Sequence, residues 1–113
     1  MLDLTTWNLS IPTEPTPTTI TTERLNNGYQ SRYFRRNGDG SVTFWVPVTG
    51  STTEDARYPR SELRETFADG RLRNWTYPEA DNFLRASLSV SQVPSTGKIV
   101  IGQIHAFKSS EPL

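Results

Sequence analysis

The sequence predicts an all-β protein, an antiparallel sandwich or barrel. Three observations point there. Apolar and polar residues alternate with a period of two in several short stretches, as they do when a strand turns one face inward. Turn-forming Asn, Asp, Gly and Pro residues separate those stretches at short intervals, eight prolines and seven glycines in 113 residues. Helical periodicity is nearly absent, and only the stretch from Thr22 to Leu25 suggests a turn of helix.

Taken in order, residues 2–9 alternate, with Trp7 and Leu9 on one face, and end at Ile11-Pro12. Residues 13–19 are Thr and Pro with one Glu and read as an extended loop, because proline gives no ladder donor. Asn26-Asn27-Gly28 is a turn, a short strand covers 32–35, and Asn37-Gly38-Asp39-Gly40 is a hairpin signal. A clear strand follows over 42–48, with Val42, Phe44, Val46 and Val48 opposite Thr43 and Trp45; Pro47 places it at an edge or bulge. Residues 49–57 form a polar loop, Tyr58-Pro59 leads into the next strand, and Asp69-Gly70 turns the chain. Residues 75–78 read as irregular. A strand begins at Asn82 with Leu84, Ala86, Leu88 and Val90 on one side. Pro94-Ser95-Thr96-Gly97 turns, and 98–107 is the last strand.

The length is that of one domain. Twelve basic and twelve acidic residues cancel, so no overall field draws the chain to nucleic acid or to a membrane surface. No apolar run approaches the ~18 residues of a membrane span. With no cysteine and one histidine, neither a disulfide frame nor a zinc site is expected.

The chain is organised around Arg60-Ser61-Glu62-Leu63-Arg64-Glu65, with Gln103-Ile104-His105 as its counterpart. As extended chain, Arg60, Glu62 and Arg64 share one face, and Ser61, Leu63 and Phe67 fall on the other, with Leu63 and Phe67 directed inward. Gln103 and His105 share a face opposite Ile104. Two such polar rows suggest a cleft wall that grips an anionic, repeating ligand. The plainer readings are a solvated salt-bridge face for the Arg/Glu row and a structural role for a lone histidine. Trp7, Trp45, Trp75 and Phe107 could be sugar-stacking platforms, but buried packing is the better reading.

Arg60-Ser61-Glu62-Leu63-Arg64 resembles the R-(S/T)-E-(L/V)-R motif of the alginate lyases of polysaccharide lyase family 7, and Gln103-Ile104-His105 is similar to that family's Q-(I/V)-H motif. Leu2-Asp3-Leu4 with Trp7, Tyr58-Pro59 and Asn74-Trp75 add to the likeness, which runs over nearly the whole chain. It implies a concanavalin-like jelly-roll sandwich, with residues 1–113 the N-terminal part of a single domain. The family's third motif, which carries a catalytic tyrosine, has no match after position 107. Tyr33-Phe34-Arg35 resembles it superficially and reads as an ordinary strand.

The resemblance further implies β-elimination on alginate without metal or other cofactor. Arg60 and Gln103 would neutralise the uronate carboxylate, the Arg with fixed charged donors and the Gln with a neutral amide where enolate charge builds. His105 would remove H5. Glu62 would orient Arg60 or Arg64, and Arg64 would hold a neighbouring sugar. The expected partner is an acidic polysaccharide, with no nucleic acid and no membrane, and the full-length protein is expected to be a monomer. Secretion is expected from the location of the polymer alone, since Met1-Leu2-Asp3-Leu4-Thr5 has neither the basic start nor the apolar middle of a signal peptide. Two other readings stay open: a non-catalytic module binding acidic polysaccharide, and a fragment without function of its own.

Overall fold

Alternation and turn chemistry translate into two small sheets in the computed structural model, which describes residues 2–53, 58–71, 85–95, 97 and 99–102. The chain divides into two units, Met1–Arg73 and Asn74–Leu113.

In the first unit, β1 (Trp7–Ile11) is the central strand of a three-stranded sheet. On one side it pairs antiparallel with β2 (Thr18–Ile20), Leu9 opposite Ile20 and Ser10 opposite Thr19. The residues between contain Pro15 and Pro17, yet β2 begins just beyond the last of them, where backbone donors are available again. The loop expected over 13–19 is therefore shorter than its composition suggests. A helical stretch, α1 (Thr22–Asn26), follows. The Thr21 side chain accepts from the Arg24 N–H at 3.3 Å and caps its start. Leu25, fully buried, anchors it on the core, and the Arg36 guanidinium donates to the Leu25 carbonyl at 2.8 Å near its end.

β3 (Phe34–Arg36) and β4 (Val42–Phe44) form the hairpin that Asn37-Gly38-Asp39-Gly40 predicts. Asp39 Oδ1 accepts from the Ser41 N–H (2.9 Å) and hydroxyl (2.6 Å), and the Asn37 N–H donates to the Ser41 carbonyl (2.8 Å). β4 is shorter than the 42–48 alternation suggests. Its ladder stops well before Pro47, and Val48 is exposed.

β5 (Glu62–Glu65) completes the first sheet along the free edge of β1, with Asn8 opposite Arg64, Leu9 opposite Leu63 and Ser10 opposite Glu62. This register sorts the sheet into two faces. Leu9, Ile11, Ile20 and Leu63 turn to one side, where the buried core of Leu4, Leu9, Ile11, Ile20, Leu25, Tyr33 and Phe34 collects. Asn8, Ser10, Thr19, Glu62 and Arg64 turn to the other. Phe67 does not follow Leu63 inward. The ladder gives way at Thr66, which is fully buried, and the Phe67 N–H turns to the Arg71 carbonyl (2.8 Å), leaving the ring 44% exposed.

In the second unit, the turn at 94–97 forms, with the Gly97 N–H donating to the Pro94 carbonyl at 2.8 Å and Gly97 at φ +73°. The two strands expected around it do not appear among the described residues 85–95 and 99–102. Alternation marks a side chain's face, but a strand exists only where a neighbour supplies the ladder. Residues 75–78, 82–84 and 103–107 of those expectations lie outside the described residues.

Candidate active site

The charged row of β5 opens onto a groove of about 430 Å³. Its floor is the polar face of the sheet, Asn8 and Ser10 from β1, Thr19 from β2, and Glu62 and Arg64 from β5. Arg60 and Tyr58 line it from the approach to β5, and Ser51, Thr52 and Thr53 line it from the loop after β4. Among these described lining residues, aliphatic side chains contribute only Pro17. The rest offer hydroxyl, amide, guanidinium or carboxylate groups, a composition suited to a hydroxyl-rich, charged ligand.

The groove's far wall is fixed by close packing. Gly50 sits where an added Cβ would lie 2.9 Å from Pro12 Cβ and 3.1 Å from Pro59 Cβ. The Ser51 hydroxyl donates to the Thr13 carbonyl, and Ser51 is buried. The loop is thereby pinned to the end of β1, which sets Thr52 and Thr53 beside the sheet.

Arg60 and Glu62 make one contact, Nη1 to Oε1 at 3.7 Å, with side chains 49% and 44% exposed. A long pair in solvent contributes about 0–1 kcal/mol, so the guanidinium keeps most of its donor capacity for an incoming carboxylate. The structure thus brings Arg60, Glu62 and Arg64 to one groove, as the alternation predicts. Gln103 and His105, the other two predicted site residues of catalytic type, lie outside the described residues, as do Trp75 and Phe107. Asn8, Ser10 and Thr19 were not singled out from the sequence. The signal for Asn8 and Ser10 was present in the same period of two, since both alternate with Leu9 and Ile11. Tyr58, Thr52 and Thr53 had no such signal, because a loop's neighbours are set by tertiary packing.

Among the described residues no three His, Cys, Asp or Glu side chains cluster to hold a metal ion, and no helix is long and apolar enough to cross a membrane.

A family model described as alginate lyase matches residues 2–113. The chain belongs to the alginate lyase family. The crystal structure of alginate lyase PA1167 from Pseudomonas aeruginosa is 51% identical over 66% of this chain and 33% of that one, with a TM-score of 0.62. A variant of the family 7 alginate lyase A1-II′ solved in complex with a product (GGG) is 45% identical over 66% of this chain and 33% of its own, with a TM-score of 0.58. A variant of the same enzyme in complex with a substrate (GGMG) is 48% identical over 58% and 28%, with a TM-score of 0.54. No curated protein matches. The alginate lyase chain therefore has the all-β jelly-roll sandwich as its fold class, and it spans about a third of the length of these structures.

Proposed function

We propose that the protein is a poly(uronate) lyase that cleaves the 4-O-glycosidic bonds of alginate by β-elimination without a metal. The observation that carries this reading is the groove, where Arg60, Glu62 and Arg64 stand in one row beside the amide and hydroxyls of Asn8 and Ser10. A family 7 alginate lyase 45–48% identical to this chain is solved with a substrate (GGMG) and with a product (GGG) bound.

The chemistry follows from the substrate. H5 of a uronate is weakly acidic while the neighbouring carboxylate is charged. Arg60 and Gln103 donate to that carboxylate and stabilise the enolate as it forms. His105, as neutral imidazole, takes H5. The electron pair forms the C4–C5 double bond, and O4 leaves with a proton from a further acid. Glu62 orients the basic side chains, and Arg64 holds the next uronate. Residues 1–113 belong to a single sandwich domain, working as a secreted monomer where the polymer lies.

Alginate added to the protein should raise the ultraviolet absorbance of unsaturated uronates. Arg60→Ala should cost on the order of a hundredfold or more in kcat/KM, and His105→Ala about 10²–10⁴-fold in kcat. Turnover that survives both substitutions overturns the assignment. A second reading, a module that binds acidic polysaccharide without cleaving it, draws on the same groove, whose described lining offers hydroxyl, amide, guanidinium and carboxylate groups. Saturable, salt-sensitive binding with no unsaturated product would select it.

A further inference from the structure

The aromatic and basic residues outside the groove include one cluster that packing does not use up. Trp45 stacks on Tyr33 with ring centroids 5.9 Å apart and 25° between planes. Its backbone N–H donates to the Tyr33 carbonyl at 3.0 Å, extending the β3–β4 ladder by one bond. Tyr33 is 8% exposed and belongs to the core, whereas Trp45 keeps 42% of its surface in solvent. Sequence alone favoured buried packing for Trp45; the structure buries its partner instead.

Arg32 completes the cluster. Its guanidinium lies 4.9 Å from the Tyr33 ring centroid and 5.3 Å from that of Trp45, and it donates to the Tyr33 hydroxyl at 2.9 Å. Among the described residues no carboxylate pairs with it. A guanidinium has five N–H donors in a rigid fork. With its plane set by two rings and one hydrogen bond, donors remain for a flat anion, and little side-chain freedom is left to lose on binding.

We propose that Arg32 and Trp45 form a second carbohydrate site, separate from the groove, that takes one uronic acid residue of an acidic oligosaccharide. A pyranose offers an apolar face of C–H bonds to the exposed indole. Its carboxylate, carried on the same ring, reaches the guanidinium beside it. A neutral sugar satisfies only the first contact and a simple anion only the second. The site is tied to the groove through Ser61, whose hydroxyl donates to the Trp45 carbonyl at 2.6 Å, and whose neighbours Arg60 and Glu62 line the groove. A polymer held at one site therefore meets the other at raised effective concentration. The choice of a uronate rests on the function proposed above.

The test is a titration of the 113-residue chain with a uronic acid trisaccharide, followed by the indole N–H resonance of Trp45, assigned by its loss in Trp45→Phe. The side-chain amide of Asn8 reports the groove in the same spectra. The Trp45 signal should shift and saturate in the Arg60→Ala/Arg64→Ala double variant as it does in the parent. Arg32→Ala should weaken that response roughly fivefold without changing the Asn8 response. If Arg32→Ala fails to fold, Arg32→Lys serves, since it keeps the charge and loses the fork; it should weaken the response as well. A Trp45 signal that stays still while Asn8 moves overturns the second site and leaves the groove reading standing. If neither moves, both fail. An equal Trp45 shift with a neutral trisaccharide overturns the assignment to a uronate.

Discussion

Gly50 is wedged between two proline rings, and neither ring can swing away as a flexible side chain would. A methyl group there meets Pro12 Cβ at 2.9 Å and Pro59 Cβ at 3.1 Å, so Gly50→Ala should destabilise the first unit by about 1–3 kcal/mol. The same strain displaces the loop that carries Thr52 and Thr53, so ligand affinity should fall with stability. Denaturant midpoints and oligouronate titrations check the two effects. A different residue-scale effect governs the hairpin. The Ser41 hydroxyl and the Ser41 backbone N–H both bond the Asp39 carboxylate and hold its pKa below the ordinary 3.8. A carboxyl with a depressed folded-state pKa contributes stability that is fully present above its unfolded value. That contribution is lost as pH falls below 3.8 and through the lower folded value. Acid should therefore loosen the β3–β4 turn, seen as faster exchange at the Ser41 amide relative to its intrinsic rate. Asp39→Asn should remove this pH dependence, because the amide oxygen accepts the same bonds and does not titrate.

At the scale of elements, β1 does two things at once because its period of two is kept without error. Leu9 and Ile11 are buried, and Asn8 and Ser10 face the groove. Leu9 is fully buried between Ile20 and Leu63 on the flanking strands. Leu9→Ala should cost about 2–5 kcal/mol, measured by reversible unfolding. It should also weaken ligand binding, since the sheet sets the spacing of Asn8 and Arg64. This alternation made the charged row of the groove legible in advance. Arg60, Glu62 and Arg64 share a face in the sequence for the same reason that they share a groove in the structure. What stayed hidden depended on contacts between segments. β2 was masked by the prolines before it, and the polar loop after β4 shows no preference for a neighbour until Gly50 packs on Pro12. Phe67 misled because the alternation continued on paper after the ladder had stopped at Thr66.

For the molecule as a whole, the two units answer the same sequence signal differently. In Met1–Arg73 the alternating stretches found partners, and the apolar side chains of three strands and one helix close over a shared core. In Asn74–Leu113 the described stretch 86–90 alternates just as well, yet Leu88, Val90, Val93, Ile99, Val100 and Ile101 are 46% to 72% exposed, and no strand forms among these described residues. Backbone amides exchange slowly when a cooperative hydrogen-bonded sheet must open to release them, and quickly when water already competes for them. Native-state hydrogen exchange should therefore split along the chain. The β1 amides, flanked on both sides, should show the strongest protection, and the amides of residues 86–93 should exchange within a few-fold of the unstructured rate. An apolar dye should bind the second unit, and Val90→Lys with Val100→Lys should reduce its fluorescence without lowering the protection of β1. Protection in residues 86–93 equal to that of β1 would show that these residues have found a ladder after all.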